Sequence, residues 1–209
     1  MKSRKALDSR IRRVISRLDQ QSNREREGKA RVARGKEMLA ITFDTGMFFS
    51  IMLKAMRAKR VLEIGTSTGF STLWFADAIM SGAGKPHIIT IEASLEKIRL
   101  AEKNFVQTGI DDIIEIKQGT AIDVLRRIKK KNYFDFVFID ADKESMLEYF
   151  DLVLPMTRTG GIIAADNMLF PEHFRPDMEK YARYVRHRAN VQSVTVPVGM
   201  GEEVTLKLG

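Results

Sequence analysis

Residues 60–69, RVLEIGTSTG, constrain the fold more than any other stretch of the chain. Val61, Leu62 and Ile64 make a short apolar run suited to a strand covered on both faces. Gly65 and Gly69 then bracket three small residues before a helical period begins. Glycine at such positions allows backbone torsions, or a close approach, that a side chain would obstruct. The stretch predicts a strand, a tight turn and a helix start, with room for a flat or extended ligand against the turn. Glu63 has the wrong charge to bind phosphate, no Lys follows Gly69 as a P-loop requires, and the spacing falls short of the full dinucleotide fingerprint.

The rest of the body repeats that alternation. Strands are expected near 60–64, 88–91, 113–117, 134–139 and 161–165, and helices near 70–81, 94–107, 120–130, 145–153 and 174–188. Such a pattern calls for parallel strands joined by right-handed crossovers, with helices on both faces. Residues 191–198 and 203–208, joined by Gly199, Met200 and Gly201, predict an antiparallel hairpin closing one edge. Upstream, 42–46 reads as a turn and about 47–56 as a helix whose Phe48, Ile51, Met52 and Ala55 face inward. That turn could place small polar groups beside Gly65.

Charge divides the chain unevenly. Residues 1–37 hold 13 Lys or Arg against 5 Asp or Glu, so the formal charge of +8 belongs entirely to this leader. The expected division is a basic amphipathic helical arm over 1–37 and one compact domain over 38–209. Within the arm Leu7, Ile11, Val14, Ile15 and Leu18 form one apolar stripe, and 20–36 reads as a polar crossing of the surface. The stripe could dock on the body or on a partner subunit, while the basic faces could meet RNA, another anion or a membrane surface. The chain has no cysteine, which excludes a disulfide framework and thiolate chemistry. No apolar run is long enough to span a bilayer and no signal peptide is evident, so the expected location is the cytoplasm.

Ligands of open α/β sheets bind beyond the carboxyl ends of the strands, and each expected strand here ends on a candidate. Glu92 could accept hydrogen bonds from both hydroxyls of a ribose, or be a surface acid at a helix start. Gly119 and Ala121 could border a flat ring, or simply begin a helix. Asp140, Asp166 and Asn167 offer two carboxylates and an amide, a donor set for Mg²⁺, Mn²⁺ or Ca²⁺. Lys143, three residues after Asp140, could reach over such a metal as a base. His87, His173 and His187 have no partner at metal-ligand spacing and are assigned to structure or surface.

At these residues the chain resembles the class I S-adenosylmethionine-dependent methyltransferases. In particular it is similar to the cation-dependent O-methyltransferases that include catechol and caffeoyl-CoA O-methyltransferases. The resemblance rests on VLEIGTSTGFSTLWFA, TIEAS, IKQGTA, FDFVFIDADK, GGIIAADNML and VPVGMG in order, and covers about 44–208. It implies a Rossmann-like α/β fold with a seven-stranded, mostly parallel sheet whose final strand is antiparallel.

It also implies an S-adenosylmethionine pocket with Glu63, Gly65 and Ser71 near the methionine portion, Glu92 at the ribose, and Gly119 and Ala121 at the adenine. Thr42 and its neighbours through 46 would close above. Asp140, Asp166 and Asn167 would be the metal ligands, with Asp140 also beside the cofactor, and Lys143 the catalytic base. A homodimer follows from the same resemblance. The expected acceptor is a small catechol or phenol, with a hydroxylated uridine in transfer RNA as the alternative that the basic arm keeps open. A non-enzymatic nucleic-acid-binding protein and a dehydrogenase using Glu92 on NAD are the rivals. The chain departs from the family at Met146, where relatives carry Tyr, in the loop of 168–177, which lacks a glycine, and at Met200, where relatives carry an acid.

Overall fold

The computed structural model describes residues 4–30, 32 and 37–209, with side chains from Ser9 onward. Its elements in order are α1 (Arg4–Arg26), α2 (Phe43–Ala55), β1 (Arg60–Ile64), α3 (Phe70–Ile79), β2 (His87–Glu92), α4 (Leu95–Thr108) and β3 (Ile114–Gln118). There follow α5 (Ala121–Arg127), β4 (Phe134–Ile139), α6 (Met146–Val153), β5 (Thr157–Ala165), α7 (Arg175–Arg186), β6 (Val191–Val196) and β7 (Glu202–Lys207). The strands form a 7-stranded sheet in the order β3-β2-β1-β4-β5-β7-β6. β1 to β5 pair in parallel, and β7 runs against both β5 and β6. This is the Rossmann-like α/β fold expected, including its antiparallel edge hairpin.

Alternation along the strands builds a core on each face. Val61, Ile88, Phe136, Phe138 and Ala164 meet α1 to α4 on one side. Leu62, Ile89, Val137, Ile139 and Ile163 meet α5 to α7 on the other. Chain order reverses between β1 and β4, so the crevice opens where Ile64 and Ile139 give way to Gly65 and Asp140.

Three expectations need correction. α1 runs to Arg26, well into the stretch read as a polar crossing. Side-chain bonds from Gln21 to Glu25 and from Asn23 to Asp19 support its last turns, and Ser22 is buried. The helix expected from about 47 begins at Phe43, because the Thr42 hydroxyl caps it by accepting from the Thr45 N–H at 3.1 Å. Gly46 is therefore helical, and an added Cβ there would lie 2.4 Å from Trp74 Nε1.

The inward face of α2 is also turned from the one expected. Thr45, Gly46, Phe49, Ser50 and Leu53 are buried. Ile51 is 63% exposed, Ala55 is exposed, and Phe48 and Met52 are only partly buried. A helix apolar on nearly every side carries little periodic signal, and Phe49 wins because it alone fills the space among Phe75, Phe136 and Phe138.

The apolar stripe of the arm belongs to the same core. Ile11, Val14, Ile15 and Leu18 are buried in the cluster beneath α3 and α4, while the Leu7 side chain lies outside the described residues. Arg17 fixes the docking by donating to Asn104 Oδ1 at 2.7 Å. This packing carries the end of α1 to the rim of the crevice.

Candidate active site

Gly65 is required at the head of the crevice. It holds φ at 100°, and a Cβ there would lie 2.0 Å from the Asp140 carbonyl oxygen. Only glycine lets the ends of β1 and β4 come so close. Gly69, at φ 84°, leaves room for the Phe105 ring, which an added Cβ would meet at 2.5 Å. Gly65 and Thr66 donate their N–H groups to the Ile91 carbonyl at 3.0 and 3.1 Å, which pins the turn to the end of β2.

Glu63 lies beneath this turn and has no solvent exposure. Its carboxylate accepts from Ser71 at 2.6 Å, Thr72 at 2.5 Å and Thr90 at 2.6 Å. Burial nevertheless pushes its pKa up to about 7, because three hydroxyl bonds offset only part of the lost hydration. Glu63 and Ser71 thus brace the turn from below and lie outside the cavity wall. Thr42 is engaged as the α2 cap and also lies outside that wall.

The other expected residues converge. A cavity of about 900 Å³ is lined by Gly65, Glu92, Gly119, Ala121, Asp140, Lys143, Asp166 and Asn167 among others. At one end the Glu92 carboxylate accepts from the N–H groups of Ser67 at 2.8 Å and Ser94 at 2.9 Å. Those bonds aim it across the tip of β2, and the Glu92 carbonyl accepts from Gly119 N at 3.0 Å. Gly119, at φ 142°, and Ala121 leave a wall free of bulk beside it.

At the other end Lys143, 7% exposed, donates from Nζ to Asp140 Oδ1 at 3.2 Å. Its ammonium also stands 5.9 Å from the Phe174 ring centre. Asn167 occupies the left-handed region at φ 69°, and its amide nitrogen donates to the Phe170 carbonyl at 3.2 Å. That leaves the side-chain oxygen of Asn167 for a ligand. Asp166 accepts from the Asn167 N–H through Oδ1 at 2.6 Å, and its carboxyl also meets that of Glu202. Burial, and then the charge of Asp140, raises the Asp166 pKa to about 7.

Two contributions to the site were not read from the sequence. The end of α1 and the segment after it supply Ser22, Glu25, Arg26, Glu37 and Leu39 to the cavity wall. Glu25 accepts from Met38 N at 2.8 Å, Arg26 donates to the Ile41 carbonyl at 3.1 Å, and Ser67, which also binds Glu92, donates its hydroxyl to the Met38 carbonyl, so residues 37–41 are tied down at the Glu92 end. No local motif announces that role. The second is Glu202, fully buried beside Asp166, whose pKa is driven well up by burial and by the Asp166 charge. A pair of acids opening a strand was its only signal.

The donors Asp140, Asp166 and Asn167 are all oxygen and carry more negative charge than Lys143 offsets, which fits a hard divalent cation. Among the described residues no group of three His, Cys, Asp or Glu side chains is gathered tightly enough to hold a metal. Any such centre depends on the Asn167 amide.

Residues 19–203 match the family model described as O-methyltransferase. The chain belongs to this O-methyltransferase family. It is 34% identical over 137 residues to a catechol O-methyltransferase of Niastella koreensis, a match spanning 65% of this chain and 61% of that protein. It is 35% identical over 157 residues to a caffeoyl-CoA O-methyltransferase of Medicago sativa, spanning 71% and 62% respectively. The chain thus spans about three fifths of the length of the curated relatives it matches. The crystal structure of the O-methyltransferase TomG from Streptomyces achromogenes in complex with SAM shares the fold, with a TM-score of 0.77 and 24% identity over 94% of this chain and 90% of that one. No helix among the described residues is long and apolar enough to cross a membrane.

Proposed function

We propose that the chain transfers a methyl group from S-adenosylmethionine to a hydroxyl of a small catechol-like or phenolic acceptor, with a divalent cation such as Mg²⁺. The observation that carries this reading is the single cavity with Glu92, Gly119 and Ala121 at one end and Asp140, Lys143, Asp166 and Asn167 at the other. Its volume of about 900 Å³ suits a nucleoside-bearing donor and a small acceptor together. When bound, S-adenosylmethionine supplies an activated methyl and the cation supplies Lewis acidity toward the acceptor hydroxyl.

The protein's own part is alignment and proton removal. Glu92 would hold the two ribose hydroxyls, Gly119 and Ala121 would admit the adenine, and Gly65 would let the methionine end lie against the backbone. Asp140, Asp166 and Asn167 would hold the cation. Lys143 Nζ, in its neutral amine form, would take the acceptor's proton, and the oxygen would gain the methyl as the sulfonium lost it. Phe170, Pro171, Phe174 and Met200 line the mouth beside Asn167 and provide an apolar slot for an aromatic ring. Methyl transfer from labelled S-adenosylmethionine to a catechol panel and to hydroxyuridine-containing transfer RNA, with Mg²⁺ or with a chelator, tests the reading. Methylated catechol in the Mg²⁺ arm alone is expected. Turnover unchanged by chelation removes the metal, and binding of NAD without S-adenosylmethionine removes the whole assignment.

A further inference from the structure

Glu202 and Glu203 are adjacent, and both are fully buried, yet they are treated in opposite ways. Glu203 accepts from Arg186 at 2.8 and 2.7 Å, from Ser193 at 2.7 Å and from Thr195 at 2.6 Å. It is a satisfied structural acid. Glu202 has no such set of donors: among the described residues its carboxyl has only the Thr45 hydroxyl and the Asp166 carboxyl as polar neighbours, neither in good hydrogen-bond geometry. A buried carboxyl so poorly supplied with donors is costly and calls for a reason.

The sheet register shows what Glu202 faces. β5 and β7 pair with Ala164 opposite Val204 and Ala165 opposite Glu203, which brings Asp166 opposite Glu202. Met168 N donating to the Gly201 carbonyl at 3.0 Å carries the two chains past that point together. Residues directly opposite across an antiparallel pair point to the same face, and like charges there repel. Asp140 adds a third acid from the neighbouring strand end, against the one ammonium of Lys143.

We infer that Glu202 is a positioning residue of the candidate metal centre. Standing behind Asp166 across the β5–β7 pair, it holds that carboxyl toward the cavity and fixes the direction in which its free oxygen faces. The inference rests on the metal-dependent reading above. Glu202 is absent from the cavity wall, so it acts through Asp166 and touches neither acceptor nor donor. A side chain behind a ligand commonly controls metal affinity without meeting the ion.

The test is Mn²⁺ binding to the full chain, followed by the electron paramagnetic resonance of free Mn²⁺ with Mg²⁺ as competitor and without acceptor. E202Q is expected to weaken Mn²⁺ binding by about 10- to 100-fold, and E202D to recover most of that loss. Thermal unfolding in chelator is expected to show E202Q melting no lower than the wild type, since it removes a buried like charge. An unchanged Mn²⁺ affinity in folded E202Q overturns the inference and leaves the proposed function standing. Failure of E202Q to fold, or a large drop in its melting temperature in chelator, also overturns it by assigning Glu202 to the framework. If the wild type binds no Mn²⁺, the metal-dependent reading and this inference fall together.

Discussion

Lys143 donates to Asp140 at 3.2 Å across a single turn of backbone just after β4. This short link ties the proposed base to the proposed metal ligand, and Nζ, once it has given up a proton, can turn from carboxylate to acceptor without a change of fold. Replacing Lys143 by Met should therefore lower kcat by about 10²- to 10⁴-fold while leaving S-adenosylhomocysteine affinity unchanged. Steady-state turnover beside calorimetric titration of the product checks both halves. Equal losses in kcat and in cofactor affinity would deny Lys143 the role of base.

Glu92 is held by the N–H groups of Ser67 and Ser94, and so offers its remaining lone pairs in a fixed direction. Hydrogen bonds to a charged acceptor each contribute about 1.5–3 kcal/mol, so E92A should weaken S-adenosylmethionine binding by about 10- to 100-fold or more. The melting temperature should change little, because the carboxylate is partly solvated. Calorimetry on the variant measures the first effect and thermal unfolding the second.

Gly65 makes the opposite case, a residue whose value lies in having no side chain. G65A would drive a Cβ to 2.0 Å from the Asp140 carbonyl at a backbone φ of 100°. The expected loss is at least about 2 kcal/mol, seen as a melting temperature lower by roughly 5 °C or more. A variant as stable as the wild type would show that the approach of β1 to β4 is looser than described.

Glu63 predicts a pH dependence of stability. Its pKa in the folded chain, about 7, lies above the ordinary value of 4.5, so the fold binds that proton more tightly than the unfolded chain does. This contribution is fully present below about pH 4.5 and is lost as pH rises through 7, amounting to on the order of 3 kcal/mol. Melting temperatures of the wild type should fall across that window for this reason, and E63Q should flatten the fall. A parallel pH profile in E63Q would show that another group is responsible.

Much of this molecule was legible before any coordinates. Strand periodicity located the sheet, because side chains in β1 and β4 must satisfy a core on each face. Gly65 and Gly69 marked the turn because their torsions exclude other residues. The acids and the amide at strand ends were legible for a similar reason: an apolar strand that stops on Asp or Glu has no local use for the charge. The α2 face could not be read, since Phe48, Phe49, Ile51 and Met52 are equally apolar and only the volume among Phe75, Phe136 and Phe138 chooses between them.

What the chain's order of residues determined alone was therefore the class of fold, the position of the crevice and most of the polar groups around it, because each follows from local periodicity and backbone chemistry. Tertiary structure alone decided three things. It placed Glu63 and Ser71 beneath the turn, brought the end of α1 over the Glu92 end of the cavity, and set Glu202 opposite Asp166. All three depend on pairing or packing between segments far apart in sequence, and no pattern within one segment carries that information.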